Sequence, residues 1–326
     1  MDPTERVPLG RTGLSVTRLG LGTAPLGGLY SEVPEEQAVG VVERAWAAGL
    51  RFFDTAPLYG NGLSEQHLGS ALGRRLRDQF VLATKVGRLL RADAPPEPGQ
   101  NFKGTPPVNP VFDFSAGGAE RSLAESLERL RLERVDVVHI HDPDDYHDEA
   151  LAGAYKALAS LRRSGRISAI GAGMNQAEML TRFAREADFD CFLLAGRYTL
   201  LDQSGLKELL PLCAERGIAV ICGGVFNSGI LADAGPGGRY NYRPAPPEVV
   251  ERARRLRAAC ERHGVPLAAA AVQFPLGHPA VASVVIGARS AAELDEDVDM
   301  FRWQIPAVLW ADLRRGGLVA AEAPTP

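Results

Sequence analysis

Short apolar runs rich in β-branched residues alternate along the chain with amphipathic segments, several of which end at glycine. This alternation is typical of repeated strand–helix units around a parallel sheet. Eight runs predict strands: Arg18–Leu26, Arg51–Ala56, Phe80–Val86, Val135–His141, Ile167–Gly173, Cys191–Tyr198, Ala219–Val225 and Ala282–Gly287. Apolar residues at i, i+3 and i+4 predict helices between them: Glu35–Ala48, Ala119–Leu132, Glu149–Arg163, Ala177–Ala187, Leu206–Glu215 and Glu248–His263. Eight such units fit one closed barrel, so we expect residues 1–326 to form a single (β/α)8 TIM barrel.

Three segments do not belong to this repeat. Before the first strand, VPLGRTGLSVT predicts a two-stranded hairpin that closes the bottom of the barrel, with its turn at Arg11–Gly13. The long segments Ala92–Phe114 and Asn227–Pro247 have no helical period and follow the third and seventh strands. Loops in these positions lie at the barrel end where active sites are built, so both are predicted to be functional. Disordered insertions are the alternative.

Composition narrows the function. The 36 basic and 40 acidic residues give a net charge of -4, without the basic surplus that binds nucleic acid or an anionic membrane. The N-terminus has no apolar leader, and no apolar run approaches the roughly 20 residues that span a bilayer. The four cysteines, at positions 191, 213, 222 and 260, have no metal-binding spacing and predict reduced core thiols. We therefore expect a cytoplasmic protein that acts on a small molecule without a metal; the sequence leaves its oligomeric state open.

Ionisable residues stand at the ends of three neighbouring predicted strands. Asp54 ends the second strand, Lys85 the third and His141 the fourth. Because the carboxyl ends of barrel strands meet at one rim, these groups are expected to converge there and to pair. Taken singly, each has an ordinary explanation, such as a helix cap or a solvated lysine. Their convergence indicates a catalytic site.

Tyr59 is the residue whose proton exchange these converging groups could assist. It lies five residues after Asp54, in a turn with Pro57 and Gly60. A phenol has a reference pKa of about 10 and needs a neighbouring cation to exchange a proton near neutral pH. Lys85 is predicted to be that cation, with Asp54 orienting it and His141 hydrogen-bonding the reacting oxygen. The alternative for Tyr59 is an aromatic residue packed on the barrel mouth.

The choice of the catalytic histidine is less direct, because the fourth predicted strand carries two. His139 and His141 lie two residues apart on one strand and so face the same side. We choose His141 because it is nearer the strand end, and we expect His139 to be a hydrogen-bonded core residue. The other histidines are predicted to be surface groups: His67, His147, His263 and His278.

Four motifs carry a family resemblance. The segments FDTA…YG, ATK, VDVVHIHDP and AIGAGMN, in this order, are similar to those of the aldo-keto reductases, over about Val7 to Trp310. The resemblance implies that Tyr59 donates the proton in reduction and accepts it in oxidation, while NADP or NAD carries the hydride. Within the family the chain most resembles the aldose 1-dehydrogenase branch, which includes L-fucose and D-threo-aldose dehydrogenases, with pyridoxal dehydrogenases close by. The segments that carry this resemblance are GTAPLGGLY, HDPDD, GAGMNQ, AGRYTLLDQ and GGVFNSGIL.

The resemblance also implies where the cofactor lies. A Rossmann site is not predicted, since Gly171–Gln176 lacks the third glycine of G-x-G-x-x-G. The implied cofactor-binding residues are Thr23 and Asp54, Asn175 at the carboxamide, Phe226, Ser228 and Gly229 at the pyrophosphate, and Gly287, Arg289, Ser290, Glu293 and Asp297 at the adenosine end. Ser290 to Glu293 is a capping-box pattern, which offers a helix N-terminus to a phosphate or caps an ordinary helix.

Two features leave the cofactor's details open. Arg289 suits the 2′-phosphate of NADP, whereas Glu293 and Asp297 suit a bare ribose hydroxyl. Many relatives have glutamine and tyrosine where this chain has Ala195 and Gly223, and we suggest Tyr198 as the replacement that packs on the nicotinamide.

The leading hypothesis is oxidation of an aldose at C1 to its lactone. The alternatives are a pyridoxal 4-dehydrogenase, a general aldehyde or ketone reductase, a Schiff-base lyase built on Lys85, and a redox-sensing regulatory subunit that binds nicotinamide. The two long loops are expected to read the substrate, with four candidate side chains: Asn109, Asp113, Tyr240 and Tyr242.

Overall fold

Eight parallel strands close into a barrel in the computed structural model, which describes residues 1–97, 99–232 and 238–326. The strands of the chain are β1 (Arg6–Pro8), β2 (Ser15–Thr17), β3 (Leu19–Gly22), β4 (Phe52–Asp54), β5 (Val81–Val86), β6 (Arg88–Arg91), β7 (Asn109–Phe112), β8 (Val137–His141), β9 (Ala169–Met174), β10 (Cys191–Ala195), β11 (Ala219–Gly223), β12 (Arg239–Tyr240), β13 (Arg243–Pro244) and β14 (Val281–Ile286). The barrel consists of β3, β4, β5, β8, β9, β10, β11 and β14, in chain order, with β14 paired to β3. The predicted TIM barrel is confirmed.

Helices surround the barrel, which explains why strands such as β5, β8 and β14 are buried along their whole length. They are α1 (Glu35–Ala47), α2 (Leu63–Leu72), α3 (Ala116–Leu130), α4 (His147–Glu149), α5 (Lys156–Arg163), α6 (Ala177–Glu186), α7 (Leu209–Arg216), α8 (Pro247–Arg262), α9 (Leu267–Gln273), α10 (Ala291–Arg302) and α11 (Ala307–Arg315). A π-helical segment, Ala150–Tyr155, joins α4 to α5. Within the described residues, no helix is long and apolar enough to cross a bilayer.

The amino-terminal hairpin closes one end of the barrel, as predicted. β1 pairs with β2 in antiparallel register, and Leu9 and Val16 are fully buried against the inner side chains of the barrel, among them Phe52 and Val137. The interior of the barrel is therefore apolar and filled at this end. The ionisable residues singled out in the sequence lie at the opposite end, where the strands finish.

Two details of the loops differ from expectation. The segment Ala92–Phe114 is not wholly irregular, since its end forms β7 and pairs with β6. The segment Asn227–Pro247 contains the short pair β12 and β13. Pro98 and residues 233–237, which belong to these two segments, lie outside the described residues.

Candidate active site

Lys85 is the centre of a hydrogen-bonded cluster at the open end of the barrel. Its Nζ donates to Asp54 Oδ2 at 2.7 Å, to the Thr55 carbonyl at 2.9 Å and to the Tyr59 hydroxyl at 3.1 Å. An ammonium has three protons to donate, and these contacts use all three. The structure thus brings together the three residues in the geometry that the sequence predicted.

The local fold explains how these groups meet. Asp54 and Lys85 stand at the ends of the neighbouring strands β4 and β5, which are paired in parallel. Tyr59 returns to them in a tight turn after β4. Gly60 permits that turn, because its φ is +63° and a Cβ there would lie 2.1 Å from the Gly27 carbonyl oxygen.

Burial and charge set the protonation states. Burial raises the pKa of Asp54, and Lys85 opposes this. Burial alone would lower the pKa of Lys85, but Asp54 and Tyr59 outweigh it and raise that pKa, so the lysine stays an ammonium. Burial raises the pKa of Tyr59, while Lys85 acts to lower it. Lys85 therefore opposes the cost of forming a buried phenolate, although the phenol remains protonated at neutral pH.

His141 completes the predicted tetrad. Its ring lies edge-on to the Tyr59 ring with 6.0 Å between centroids. Burial, followed by the nearby charge of Arg88, holds the pKa of His141 well below 6.5, so the imidazole is neutral. A neutral imidazole carries one N–H and can donate a hydrogen bond without bringing a second cation to Lys85.

His139 is buried one layer deeper, as predicted, but the expected hydrogen bond is absent. Within the described residues, neither of its ring nitrogens has a partner. Burial, with Lys85 next, lowers the pKa of His139 to about 3.

The surface prediction for the other histidines is wrong for three of them. His67, His147 and His278 are buried. His67 faces inward from α2, with Nδ1 2.9 Å from the Leu26 carbonyl oxygen, and His147 stacks on Phe183. His263 is partly buried and pairs with Asp312.

A cavity of about 240 Å³, called here the cofactor-side cavity, opens beside the tetrad. It is lined by small residues from β10 and β11, Ala195 and Gly223, and by polar loop residues. Six of the predicted cofactor residues line it together with Tyr59: Asp54, Asn175, Phe226, Ser228, Gly229 and Gly287. Two buried acceptors on its wall, Asp54 Oδ1 and Asn227 Oδ1, have no hydrogen-bond partner among the described residues. Buried acceptors in this state are suited to a polar ligand.

Tyr198 and Thr23, which were also predicted to bind the cofactor, do not line this cavity. Tyr198 is 1% exposed and packs on Phe274, with 5.1 Å between ring centroids. Its strand ends at Ala195, and Gly196 with a φ of +70° redirects the chain, so Tyr198 does not reach the cavity. The buried Thr23 instead supports the barrel, since its hydroxyl donates to the Asp54 carbonyl at 3.0 Å.

Four of the five residues predicted for the adenosine end lie at the start of α10, outside the lining of the cavity: Arg289, Ser290, Glu293 and Asp297. Ser290 Oγ caps this helix by accepting from the Glu293 amide at 3.2 Å. Arg289 is held by Glu293, with Nη2 2.6 Å from Oε1. Burial, together with Glu293 and Glu296, raises the pKa of Asp297 to about 7. Carboxylates thus dominate this corner of the mouth.

A second cavity of about 560 Å³, the substrate-side cavity, adjoins the first and shares Tyr59 and several other lining residues with it. Lys85 and His141 line it, together with residues that sequence reasoning missed: Glu97, Gln100, Asn101, Phe102 and Asn241 from the two long loops, and Asp142 directly after β8. Only the HDPDD segment gave a signal, for Asp142, because the paths of the loops depend on contacts distant in sequence.

Of the four predicted substrate-reading residues, Tyr242 lines this cavity. The other three are engaged elsewhere. Asn109 donates to the Ala94 carbonyl, Asp113 accepts from the Ser115 amide and hydroxyl, and Tyr240 lies 3.4 Å from Asp202.

Comparison with known proteins gives a consistent result. The sequence profile of the aldo/keto reductase family matches residues 18–315. The chain is 44% identical to a D-threo-aldose 1-dehydrogenase from a Pseudomonas species, over 96% of this chain and 97% of that one. It is 43% identical to a pyridoxal 4-dehydrogenase from Microbacterium luteolum, over 98% and 99%. A solved aldo-keto reductase from Bacillus halodurans, in its holo form, has a TM-score of 0.78 and 25% identity, with 98% of both chains covered.

A match over most of the chain, relatives above 40% identity and the barrel itself agree. This protein is an oxidoreductase of the aldo/keto reductase family.

Proposed function

We propose that the protein oxidises a free aldose at its anomeric carbon to the lactone, with NAD⁺ as the hydride acceptor. The observation that carries the proposal is the position of Tyr59. Its side chain lines both the cofactor-side and the substrate-side cavity, and its hydroxyl is 3.1 Å from Lys85 Nζ. A proton acceptor at the junction of two ligand cavities is what transfer of a hydride and a proton requires.

The residues act as follows. In this oxidation Tyr59 reacts as its phenolate, the form that the ammonium of Lys85, held by Asp54, stabilises. The phenolate accepts the proton of the C1 hydroxyl and becomes the phenol. His141 donates its N–H to the same oxygen and orients the sugar. The cofactor-side cavity would hold the nicotinamide through Asn175 and Asn227, and the bound cofactor supplies the hydride acceptor. The C1–H bond gives up its hydride and the O–H bond its proton, which leaves the carbonyl of the lactone.

Polar side chains on the substrate-side cavity favour a sugar. Glu97, Asp142 and Asn241 bring donors and acceptors of the kind that polyhydroxylated molecules require. The relative named D-threo-aldose 1-dehydrogenase supports the same class.

Pyridoxal is the second candidate. Phe102 lies 6.3 Å from the Tyr59 ring and, with Tyr242, offers flat apolar surface to an aromatic aldehyde. The relative named pyridoxal 4-dehydrogenase supports this alternative.

The preference for NAD over NADP rests on Arg289. Its guanidinium is bound by Glu293, which also accepts from the Arg289 amide at 2.8 Å. A 2′-phosphate here would have to displace that carboxylate and would meet Asp297 on the next turn. We also propose a reducing, cytoplasmic location, supported by four free and buried cysteines.

A substrate panel tests the proposal. Formation of reduced nicotinamide is measured with L-fucose, D-threo-aldoses, pyridoxal and simple aldehydes, each with NAD⁺ and NADP⁺. We expect the highest kcat/KM for an aldose with NAD⁺. Preference for pyridoxal would favour the second candidate, and no turnover with any substrate would overturn the proposal. Tight cofactor binding without turnover would indicate a regulatory subunit, and borohydride trapping of substrate on Lys85 a lyase.

A further inference from the structure

A buried arginine lies next to the tetrad without lining either ligand cavity. Arg88 is 6% exposed. Its Nη1 is 3.2 Å from His141 Nδ1 and 3.2 Å from Asp142 Oδ2. An arginine side chain has only donors, so the contact with Nδ1 requires that this nitrogen be unprotonated. The single proton of a neutral His141 is then on Nε2.

We propose that Arg88 is a positioning residue, which fixes His141 as the neutral tautomer whose Nε2–H donates to the reacting oxygen. The inference rests on the proposed function, in which His141 orients the hydroxyl that is oxidised. It assigns a role to a side chain that touches neither substrate nor cofactor and acts through the imidazole.

The backbone around Arg88 is built to hold it in place. Gly87, immediately after β5, has a φ of +105°, and a Cβ there would lie 2.2 Å from the Phe114 ring. This residue turns the chain so that Arg88 comes back over the end of β8. Ser122 Oγ donates to the Arg88 carbonyl at 3.0 Å, and the guanidinium lies 4.7 Å from the centre of the Phe112 ring.

Asp142 completes the arrangement. Its φ is +43°, a conformation that costs energy for a residue with a side chain and is often retained at functional sites. In this conformation its carboxylate binds Arg88 and stays 3.4 Å from His141 Nε2. The carboxylate offsets the buried charge of Arg88, and His141 still lines the substrate-side cavity.

The positive charge of Arg88 favours a neutral His141, as its hydrogen bond to Nδ1 also does. The ionisable groups that face His141 are Lys85, Arg88, Tyr59, His139 and Asp142. Burial first, and then Arg88 and Lys85, lower the pKa of His141. Loss of the Arg88 charge is therefore expected to raise that pKa towards its ordinary value and to let His141 take up a proton at mildly acidic pH.

The test uses three variants. Arg88→Met removes the donor and the charge, while Arg88→Gln keeps a donor and removes the charge. Arg77→Met is the matched control, because Arg77 is also a largely buried arginine paired with a carboxylate, Asp136, at the other end of β5. Nitrogen-15 NMR of the imidazole rings reports the tautomer and pKa of His141 in the protein without substrate, and its signals are identified by comparison with His141→Gln.

We expect the parent protein and Arg77→Met to show the Nε2–H tautomer across the neutral range. Arg88→Met should show mixed tautomers, a raised pKa for His141 and kcat lowered about 10- to 100-fold, with a new loss of activity on the acid side. Arg88→Gln should keep the tautomer but show the raised pKa. Dissociation of NAD⁺ should be unchanged in all of them.

An unchanged tautomer and pKa in both Arg88 variants would overturn the inference, even if their stability fell as in Arg77→Met. Should Arg88→Met fail to fold, Arg88→Gln alone decides through the pKa of His141. The NMR measurement needs no turnover, so failure of the aldose proposal and failure of this inference give different results.

Discussion

The two sides of the barrel mouth differ sharply in chemistry. At the ends of β4, β5 and β8 stand Asp54, Lys85 and His141, which are buried ionisable groups held by hydrogen bonds and ion pairs. At the ends of β10 and β11 stand Ala195 and Gly223, which bring no polar side chain at all. The side with Asp54, Lys85 and His141 holds charged and polar groups in fixed positions, which a proton acceptor needs. The side with Ala195 and Gly223 provides space, which a flat cofactor ring needs.

The cost of the polar side explains its geometry. A buried charge is tolerated when its hydrogen bonds are satisfied, and Lys85 meets that condition with three acceptors. Removing one partner leaves the others buried and unsatisfied, so changes on this side should have large effects. Substitutions at Ala195 or Gly223 should act by reducing the volume of the cofactor-side cavity.

The largest effect is expected from Tyr59→Phe. Loss of the hydroxyl removes the proton acceptor, while the ring still fills its place between the cavities. We expect kcat for aldose oxidation to fall about 10³- to 10⁴-fold, with the Kd for NAD⁺ within about twofold of the parent. Steady-state kinetics and cofactor titration measure the two quantities.

Tyr198→Phe is the matched control for that change. The Tyr198 hydroxyl is also buried, but it has no hydrogen-bond partner among the described residues and lies outside both cavities. Its removal should leave kcat unchanged. A comparable loss of activity in both variants would mean that the phenol of Tyr59 has no special role.

A smaller effect is expected from filling the open side. A Cβ at Gly223 would lie 3.5 Å from Leu193 Cδ2 and Val285 Cγ2, so alanine fits in ordinary contact. A leucine side chain would occupy the cavity itself. We expect Gly223→Leu to raise the Kd for NAD⁺ about 10- to 100-fold, the change that about 1.4 to 2.8 kcal/mol produces.

Gly223→Ala should bind NAD⁺ like the parent, and thermal unfolding should show both variants folded. Normal binding of NAD⁺ by Gly223→Leu would contradict the assignment of the open side of the mouth to the cofactor. In that case the space beside Ala195 and Gly223 serves something other than NAD⁺.

How far the sequence predicts the molecule depends on how local the cause is. The barrel strands follow from runs of buried residues, and the convergence of Asp54, Lys85 and His141 follows from their positions at strand ends. Helix α9 was missed because Leu267–Gln273 is buried almost throughout, which leaves no polar face and no helical period. Burial on all sides thus makes the barrel strands recognisable in the sequence and hides helix α9.

Other errors have non-local causes. Tyr198 was assigned to the cofactor because the sixth barrel strand was extended three residues too far, past the turn at Gly196. Phe102 and Arg88 were missed because their places depend on the path of a long loop and on the turn at Gly87. The directions in which such side chains point are set by contacts between distant segments.

The smallest effect concerns the charges on the cofactor side of the mouth. Among the described residues, Asp297 has no salt bridge of the kind that joins Asp54 to Lys85; burial, Glu293 and Glu296 raise its pKa from 3.8 to about 7. A carboxyl with a raised pKa stabilises the fold fully below its unfolded pKa, and this contribution is lost as the pH rises to about 7. The shift corresponds to about 4 kcal/mol at most, and contact with solvent should reduce it to about 1 kcal/mol.

Asp297→Asn should therefore raise the free energy of unfolding by about 1 kcal/mol at pH above 7. This gain in stability should grow between about pH 4 and 7 and stay constant above pH 7. Urea unfolding of the cofactor-free protein at several pH values measures it, with the exposed Asp299→Asn on the same helix as control. A gain that does not depend on pH, or that appears equally in the control, would mean that Asp297 is compensated in the fold, and the two sides of the mouth would then treat their charges alike.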